Sequence, residues 1–308
     1  MTNVFIDGSA GTAGLRIYDR LSQRPDIKLM TLPEALRKDA NARKEAINSA
    51  DIAFLCLPDA ASIEAVSLVE RDHVAVIDTS TAHRTAPGWA YGFPELAGRR
   101  EQIAHSKRVA NPGCHASGFI VLVEPLIRAG LLLPETALTC FSVTGYSGGG
   151  KKMIAEYEDA QRSVLFDAPR QYGLSQQHKH LKEMTKITGL ETTPVFCPIV
   201  ADYACGMAVT VPVFARDLRG TADDVRAVYR ACYHSGIVHY EDTADENGLL
   251  AANTLAGRDD MEVTVAGNDE RILLISRFDN LGKGASGAAI QNMNILLGLD
   301  ETTGLDLG

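Results

Sequence analysis

The sequence predicts an α/β fold in which a doubly wound parallel sheet is followed by a second, α+β domain with a mixed or antiparallel sheet. Over roughly the first third of the chain, short apolar runs alternate with helical patterns, which is typical of a parallel sheet covered on both faces. From about residue 138 the strands become longer and alternate between apolar and polar residues. A length of 308 residues, 45% hydrophobic and 22% charged, fits about two domains.

The first domain is predicted to hold four strands separated by helices. The strands are expected at 3–7, 27–32, 52–57 and 74–78, and the helical patterns lie at 15–21, 34–47 and 62–69. We place this domain at residues 1–113. A C-terminal segment, 285–308, is expected to complete it, because the apolar helix at about 286–297 should pack back onto it.

The second domain is expected to cover residues 114–284. Its predicted strands lie at 138–144, 207–214, 261–266 and 271–278, with a hairpin turn at Gly267-Asn268-Asp269. A sheet exposed on one side is suited to pairing with another subunit, so we expect a homo-oligomer, either a dimer or a tetramer.

Composition excludes several classes of function. Thirty Lys and Arg against 39 Asp and Glu give a formal net charge of -9, which argues against a nucleic-acid partner. No apolar run approaches the roughly 18 residues needed to cross a bilayer and no signal-peptide pattern opens the chain, so we expect a cytoplasmic protein without a membrane partner. The six cysteines form no C-x-x-C pair and the only tight cluster of metal-ligating types is His178-Lys179-His180, so we expect reduced thiols and no metal.

A glycine-rich turn between the first strand and the first helix is the first candidate site. Gly8-x-x-Gly11-x-x-Gly14 lets the backbone approach a pyrophosphate closely, and the helix that follows offers unpaired N–H groups, as in a Rossmann-like dinucleotide-binding domain. The alternative is that the glycines only make a tight connection between the strand and the helix. The expected cofactor-binding residues of this turn are Gly8, Ser9, Gly11, Thr12, Ala13 and Gly14.

The segment after the second strand bears on the choice of cofactor. Glu34 could bind the ribose hydroxyls of NAD, whereas the basic pair Arg37-Lys38 could neutralise the 2′-phosphate of NADP. We expect NADP(H), with Arg37 in the binding site.

One cysteine is a candidate nucleophile. Cys114 follows Asn111-Pro112-Gly113 and precedes an apolar helical stretch at 119–129, so it lies near the positive end of a helix, which favours thiolate over a thiol of pKa about 8.5. The alternative is a buried structural thiol, which we accept for Cys56, Cys140 and Cys232. A thiolate beside a nicotinamide suits oxidation of an aldehyde through a thioester, or reduction of an acyl phosphate in reverse, and both directions need a general acid/base.

Four further motifs, taken in order with this cysteine, resemble those of the N-acetyl-gamma-glutamyl-phosphate reductases, and the short, type 2 form is the most similar. The resemblance extends over essentially the whole chain. Besides Asn-Pro-Gly-Cys, the motifs are Asp78-Thr79-Ser80-Thr81-Ala82-His83-Arg84, Gly145-Tyr146-Ser147-Gly148-Gly149-Gly150-Lys151-Lys152, His178-Lys179-His180-Leu181-Lys182-Glu183 and Leu281-Gly282-Lys283-Gly284-Ala285-Ser286-Gly287.

The resemblance implies a reaction and its residues. Cys114 would accept the acyl group in the NADPH-dependent reduction of N-acetyl-gamma-glutamyl phosphate to the semialdehyde, a step of arginine biosynthesis. His180 would be the acid/base, with His178 as the alternative, and Glu183 would orient the imidazole. Lys182 stands where the family commonly has proline.

The resemblance also implies residues that bind substrate and cofactor. Arg84 would bind phosphate, as a planar guanidinium can, and the alternative is a surface arginine. Ser147, Gly148, Lys151 and His178 would complete the substrate site, although Lys151 and Lys152 could simply be solvated. Gly284 and Ala285 would bring backbone close to the nicotinamide, or would merely start a helix. Four other histidines, His83, His105, His115 and His234, are expected to be structural or on the surface.

Other functions remain as alternatives. An aspartate-semialdehyde dehydrogenase would share the cysteine and the glycine turn, and a nucleotide-sensing regulatory protein would keep the fold without catalysis. A glyceraldehyde-phosphate dehydrogenase is disfavoured because its Ser-Cys-Thr-Thr-Asn box is absent.

Overall fold

The computed structural model describes residues 1–308 and divides the chain into two compact units. Unit 1 comprises Met1–Pro112 and Ala285–Leu305, and unit 2 comprises Gly113–Gly284 and Asp306–Gly308. These bounds differ from the sequence-based ones at Gly113 and at the last three residues, all of which belong to unit 2. None of the helices is long and apolar enough to cross a membrane.

Unit 1 is built on a fully parallel, six-stranded sheet. Its strands are β1 (Thr2–Asp7), β2 (Ile27–Met30), β3 (Ile52–Leu55), β4 (Ala75–Asp78), β5 (Ala90–Tyr91) and β6 (Arg108–Ala110), in the order β2-β1-β3-β4-β6-β5. Its first four helices are α1 (Thr12–Leu21), α2 (Ala40–Asn48), α3 (Asp59–Ser67) and α4 (Arg99–Ala104). The chain runs from β1 to β2 on one side and then returns to β3 on the other, so β1 and β3 flank the switch point at which such sheets bind ligands.

Alternation along β1 divides the core of unit 1 between the two faces of the sheet. Val4 and Ile6 pack in one cluster with Ile17 of α1, whereas Phe5 packs in a second cluster with Ile47 of α2. Because both faces are covered, every residue of β3 and β4 is buried.

Most predicted elements of unit 1 have different bounds in the structure: β3 ends at Leu55 rather than Leu57 and α1 begins at Thr12, while β5, α4 and β6 were not predicted. β2 ends at Met30 rather than Leu32, and α3 begins at Asp59, earlier than predicted. The single helix predicted at 34–47 is wrong: a 3-10 turn covers Glu34–Leu36, and α2 begins only at Ala40. The break arises because the Asp39 carboxylate accepts the Ala42 N–H at 2.8 Å and so caps a new helix.

Unit 2 is built on a seven-stranded mixed sheet. Its strands are β7 (Thr139–Gly145), β8 (Arg170–Gln171), β9 (Val195–Ala201), β10 (Met207–Phe214), β11 (Val238–Tyr240), β12 (Met261–Gly267) and β13 (Arg271–Phe278), in the order β11-β12-β13-β10-β7-β9-β8. The β7/β9 and β11/β12 pairs are parallel and the other pairs are antiparallel. The helices are α5 (Cys114–Arg128), α6 (Gly150–Glu158), α7 (His180–Thr188) and α8 (Ala222–Cys232).

Helix α5 packs closely on one face of this sheet. A Cβ at Gly118 would lie 2.4 Å from Cγ2 of Val209 in β10, so only glycine allows this approach, and Ser276 of β13 donates to the Gly118 carbonyl at 2.9 Å. Tyr229 of α8 donates to the carbonyl of Leu122 at 2.6 Å and joins the two helices. Cys114 is therefore the first residue of a helix anchored along its length.

The last helix of the chain belongs to unit 1. A short π-helical turn, Gly282–Ser286, precedes α9 (Gly287–Leu296), which adds Ile290 and Met293 to the cluster beneath Val4 and Ile6. The tail then returns to unit 2, where the Asp259 N–H donates to the carbonyl of Asp306 at 2.6 Å.

Candidate functional site

The glycine turn of unit 1 is compact, and two of its three glycines are required by the surrounding backbone. Gly8 has φ of +87°, and a Cβ there would lie 2.3 Å from the carbonyl oxygen of Cys56, just after β3. A Cβ at Gly14 would lie 2.4 Å from the carbonyl oxygen of Gly8. At Gly11 the nearest atom would be 3.4 Å away, so the fold itself leaves room for a side chain there.

The same turn leaves the start of α1 open to an anion. Gly11 is the N-cap and supplies no side-chain cap to the first N–H groups of the helix, at Thr12 and Ala13. Backbone donors at a helix N-terminus, reached through a turn without side chains, fit the phosphates of a dinucleotide. Ser9 lies in this turn.

The end of β1 carries a buried ion pair that the sequence analysis did not identify. Nε of Arg43 donates to Oδ2 of Asp7 at 3.0 Å, and both side chains are more than nine-tenths buried. Burial raises the pKa of Asp7, and the Arg43 charge opposes that shift. The pair fixes the strand end that leads into Gly8. Arg37, by contrast, is exposed, with Nε 3.5 Å from the Leu32 carbonyl.

Arg84 is not a surface arginine. It is 9% exposed, and its guanidinium donates from Nε to the Asn111 carbonyl at 2.9 Å and from Nη2 to the Thr79 carbonyl at 3.0 Å. The Asn111 side chain donates to the Ala285 carbonyl at 2.9 Å. Asn111, which sequence reasoning gave no role, thus connects Arg84 with Ala285 in unit 1.

In unit 2, Cys114 lies at the first position of α5, as the sequence predicts. The N-cap, Gly113, has no side chain and so makes no side-chain cap at the start of this helix. The Gly113 N–H donates to Oε1 of Glu183 at 2.9 Å. A Cβ at Gly284 would lie 2.9 Å from Cβ of Cys114, so the backbone at Gly284 packs directly against the cysteine.

The two candidate acid/base histidines lie where α7 begins. His180 is the first residue of α7 and is 6% exposed, and its ring centroid lies 4.8 Å from that of His178. Nδ1 of His178 accepts the His180 backbone N–H at 3.3 Å, so one of its nitrogens is occupied locally. Burial and the nearby Lys179 charge lower the pKa of His178 and keep it neutral at pH 7.

Helices α5 and α7 bring these groups together within unit 2. The Gly113–Glu183 hydrogen bond joins the two helix starts, and the ring of His115, adjacent to Cys114 in the chain, lies 5.6 Å from that of His180 between centroids. Glu183 was expected to orient the imidazole, and the structure shows its carboxylate fixing the turn before Cys114.

His115 is a site residue whose contacts the sequence did not indicate. It is buried, with Nδ1 2.6 Å from Oγ of Ser142 and Nε2 2.7 Å from Oη of Tyr172. Burial, with a smaller contribution from His178, lowers its pKa to about 3. The position of His115 next to Cys114 was the only feature of the sequence that could have indicated a role for it in the site.

The 145–152 loop divides between buried and exposed residues. Oγ of Ser147 accepts from Nδ2 of Asn280 at 2.9 Å and lies 3.3 Å from Sγ of Cys205, and Gly148 lies beside the same Asn280. Lys151 is exposed in the first turn of α6. The Asn280 hydrogen bond therefore holds the loop at Ser147, whereas the exposed ammonium group of Lys151 is accessible to an anion.

Two of the other thiols, Cys56 and Cys140, are poor candidates for a nucleophile. Burial raises the pKa of Cys56 to about 12 and raises that of Cys140 further, so both stay as thiols. No group of three or more His, Cys, Asp or Glu side chains could hold a metal ion.

Comparison with known families gives two matches. The semialdehyde dehydrogenase dimerisation domain matches residues 114–280, and the semialdehyde dehydrogenase NAD binding domain matches residues 33–106. The N-acetyl-gamma-glutamyl-phosphate reductase 2 of Nostoc sp. is 45% identical over 318 residues, covering 98% of each chain. The N-acetyl-gamma-glutamyl-phosphate reductase of Brucella anthropi is 46% identical over 305 residues, covering 96% of this chain and 98% of its own.

Solved structures share the fold at low identity. Aspartate semialdehyde dehydrogenase II from Vibrio cholerae, complexed with ASA, has a TM-score of 0.71 at 18% identity, covering 96% of this chain and 98% of its own. Aspartate semialdehyde dehydrogenase with NADP from Candida albicans has a TM-score of 0.66 at 15% identity, covering 96% and 98%. With the family matches, these structures confirm the predicted fold class: a Rossmann-like parallel unit followed by a mixed-sheet unit.

Proposed function

The chain belongs to the N-acetyl-gamma-glutamyl-phosphate reductases, within the semialdehyde dehydrogenase family, and we propose that it uses NADPH and a Cys114 thioester in its reaction. The substrate is N-acetyl-gamma-glutamyl phosphate, the products are N-acetylglutamate 5-semialdehyde and phosphate, and the pathway is arginine biosynthesis. One observation carries the proposal: Cys114 and His180 each begin a helix, and the Gly113–Glu183 hydrogen bond joins those two helix starts.

Acyl transfer comes first. The Cys114 thiolate attacks the acyl carbon, a C–S bond forms, and the C–O bond to the phosphoryl group breaks, so that phosphate leaves with the electron pair. The uncapped N–H groups at the start of α5 stabilise both the thiolate and the negative charge that develops on the acyl oxygen. Glu183 holds the turn that aims these groups, because its carboxylate is fixed to the Gly113 N–H.

Reduction follows at the same carbon. When bound, the reduced nicotinamide supplies the hydride that takes the thioester to the aldehyde level. His180 donates a proton to the oxygen of the resulting tetrahedral adduct and takes it back as the carbonyl reforms and the C–S bond breaks, which regenerates the thiolate. His178 has one nitrogen occupied by the His180 amide, and we assign it to substrate binding.

Separate groups of residues hold the cofactor and the substrate. The turn residues Gly8, Ser9, Gly11, Thr12, Ala13 and Gly14 bind the cofactor phosphates, and the close approach at Gly8 and Gly14 supports this. Arg37 neutralises the 2′-phosphate of NADP, and Gly284 and Ala285 present backbone to the nicotinamide. Arg84 binds the substrate phosphate, supported by a guanidinium fixed on two carbonyls. Ser147, Gly148 and Lys151 bind the remaining substrate oxygens.

The exposed face of the unit 2 sheet is proposed to pair with a second copy of the chain. Phe141, Val195, Phe214 and Leu273 project from neighbouring strands on this face and are 37% to 53% exposed. An exposed apolar face of this kind is typical of an interface. The matched region is named as a dimerisation domain, which supports an isologous pair.

A single assay tests the proposed reaction. With N-acetylglutamate semialdehyde, phosphate and NADP, the wild-type chain should produce NADPH, and it should discriminate strongly against aspartate semialdehyde. Cys114→Ser should abolish turnover. Cys232→Ser, at the C-terminal end of α8, should leave turnover unchanged.

Direct detection of the thioester completes the test. Incubation with the acyl phosphate in the absence of NADPH should add the mass of one N-acetylglutamyl group to the wild type and nothing to Cys114→Ser. Near wild-type turnover by Cys114→Ser would exclude the covalent route, and equal use of aspartate semialdehyde would exclude the substrate assignment.

A further inference from the structure

The outer edge of the unit 2 sheet, next to the two candidate histidines, loses its strand partner early. β8 pairs with β9 for two residues only, and the chain leaves this edge at Gly173, where φ is +64°. The same antiparallel register, continued, would place Leu174 opposite Phe196 of β9. Leu174 lies in a turn instead, so the backbone N–H and C=O of Phe196 need another partner at this edge.

The side-chain amide of Gln176 is that partner. Oε1 of Gln176 accepts the Phe196 N–H at 2.9 Å, and Nε2 of Gln176 donates to the Phe196 carbonyl at 2.8 Å. An amide offers an acceptor and a donor side by side, so the two bonds reproduce those that a residue of an antiparallel strand would make. The side chain therefore takes the place of a strand residue against β9.

The backbone of Gln176 is in an unfavourable conformation where it makes these bonds. Its φ is +56°, in the left-handed region that a residue with a Cβ rarely adopts. Its own N–H donates to the Gly173 carbonyl at 2.9 Å and closes the turn. A residue other than glycine persists in this region only where surrounding contacts fix it, and the two bonds to Phe196 are contacts of that kind.

Phe196 connects this turn with the histidines. Its ring centroid lies 5.1 Å from that of His178 at an interplanar angle of 66°, which is an edge-to-face contact. His178 follows Gln176 by two residues, and its Nδ1 accepts the His180 backbone N–H at 3.3 Å. A continuous path of contacts therefore runs from the Gln176 amide through Phe196 and His178 to the first residue of α7.

We infer that Gln176 is a positioning residue for the acid/base site: its amide holds the turn before α7 against β9 and so fixes His178 against Phe196 and His180 at the helix start. The hydrogen bonds of Gln176 are independent of any reaction. Their effect on turnover rests on the proposed function, in which His180 moves the proton and His178 binds substrate.

Two substitutions remove the Gln176 bonds in different ways. Gln176→Glu keeps an acceptor for the Phe196 N–H but turns a second oxygen toward the Phe196 carbonyl. Gln176→Gly removes both bonds and at the same time suits the positive φ, so it separates the role of the amide from that of the backbone. Gln177→Glu and Gln177→Gly are matched controls, because they make the same changes at the neighbouring exposed residue.

Steady-state kinetics of acyl-phosphate reduction measures the effect on the reaction. Both Gln176 variants should lower kcat about 10- to 100-fold, as expected for a displaced acid/base, and should raise the KM for the acyl phosphate. The KM for NADPH should not change, and the Gln177 variants should behave like the wild type. In a His180→Asn background, Gln176→Gly should lower kcat little further, because it acts through His180. A wild-type kcat for Gln176→Gly, or an equal loss in Gln177→Gly, would overturn the inference.

Histidine spectra separate this inference from the proposed function. Long-range ¹⁵N–¹H correlation spectra of the whole protein, labelled on histidine and without substrate, should show His178 with an unprotonated Nδ1, since that atom accepts the His180 N–H. Its signals are assigned by their loss in His178→Asn. They should move in both Gln176 variants and stay in place in both Gln177 variants, and unchanged His178 signals in Gln176→Gly would overturn the inference. If the wild type failed to reduce the acyl phosphate while these spectral differences held, the proposed function would fail and the role of Gln176 in fixing His178 would stand.

Discussion

Replacing Gly8 with alanine should destabilise unit 1 and abolish cofactor binding together. The residue has φ of +87°, which costs an L-residue roughly 1–2 kcal/mol. The new Cβ would lie 2.3 Å from the Cys56 carbonyl oxygen, so backbone must move, and overpacking of this kind costs about 1–3 kcal/mol. The sum, roughly 2–5 kcal/mol, corresponds to a fall in Tm of roughly 8–20 °C for a unit of this size.

Gly11→Ala is the matched control. The two glycines share one turn, yet a Cβ at Gly11 meets nothing closer than 3.4 Å and its φ is -74°. Its Tm should stay within a few degrees of the wild type, while calorimetric titration should show weaker NADPH binding if ligand phosphates approach this backbone. Thermal unfolding of both variants checks the steric argument, which a Gly8→Ala protein as stable as the wild type would refute.

Three further predictions concern unit 2. His180→Asn should lower kcat by about 10²- to 10⁴-fold with a smaller effect from His178→Asn, and steady-state kinetics showing the reverse order would transfer the acid/base role. Gly284→Ala places a Cβ 2.9 Å from that of Cys114 and should lower kcat about 100-fold by displacing the nucleophile, whereas a kcat within twofold of wild type would contradict this packing argument. Because the folded-state pKa of His115 is lowered to about 3, the unfolded chain binds an extra proton as pH falls below about 6.5, so stability is lost toward acid by about 1.4 kcal/mol per pH unit. Urea unfolding between those pH values should show this excess slope in the wild type relative to His115→Gln, and parallel slopes would argue against a buried neutral ring.

Four of the six strands of unit 1 could be predicted because burial on both faces of a parallel sheet produces continuous apolar runs. β5 and β6, of two and three residues, are too short to show such a run. The helix at 34–47 could not be predicted, because its apolar periodicity continues across a break that one side-chain cap creates at Asp39. β9 was missed because Pro198 interrupts its apolar run. The neighbouring edge strand, β8, is only two residues long and pairs with Ile199 and Val200, and Pro198 contributes to the ladder through its carbonyl, which accepts the Tyr172 N–H at 3.0 Å.

The place of the proposed nucleophile at a helix start could be predicted from the sequence, and the contacts around it could not. Cys114 is marked by residues next to it in the chain, a Pro-Gly turn and a helix start. Glu183, in contrast, acts on the Gly113 amide from 70 positions away, and His115 finds Ser142 and Tyr172 at separations of 27 and 57. Contacts of this length are properties of the fold, and no local pattern encodes them.

The helices that carry predicted site residues begin without a side-chain cap, although α3 and α4, which carry none, also lack one. α2 is capped by Asp39, and α8 has a capping box of Thr221 and Asp224, and neither helix carries a predicted site residue. α1 and α5, which do, begin after Gly11 and Gly113 with no side-chain cap. In a chain of net charge -9, a helix start without a side-chain cap is a local way to attract anionic ligands without adding basic residues.

A single substitution at the start of α1 should change stability and NADPH affinity in opposite directions. Gly11→Asp has room for its Cβ and would cap α1, adding a few tenths to about 1 kcal/mol of stability through the cap and the helix dipole. The same carboxylate would occupy and repel the phosphate position, so NADPH affinity should fall by at least 10-fold. Thr221→Ala, which removes an existing cap, should lose about 1 kcal/mol with no change in NADPH affinity. Thermal unfolding and calorimetric titration of both variants measure the two quantities, and a Gly11→Asp protein that bound NADPH like the wild type would exclude the start of α1 as the anion site.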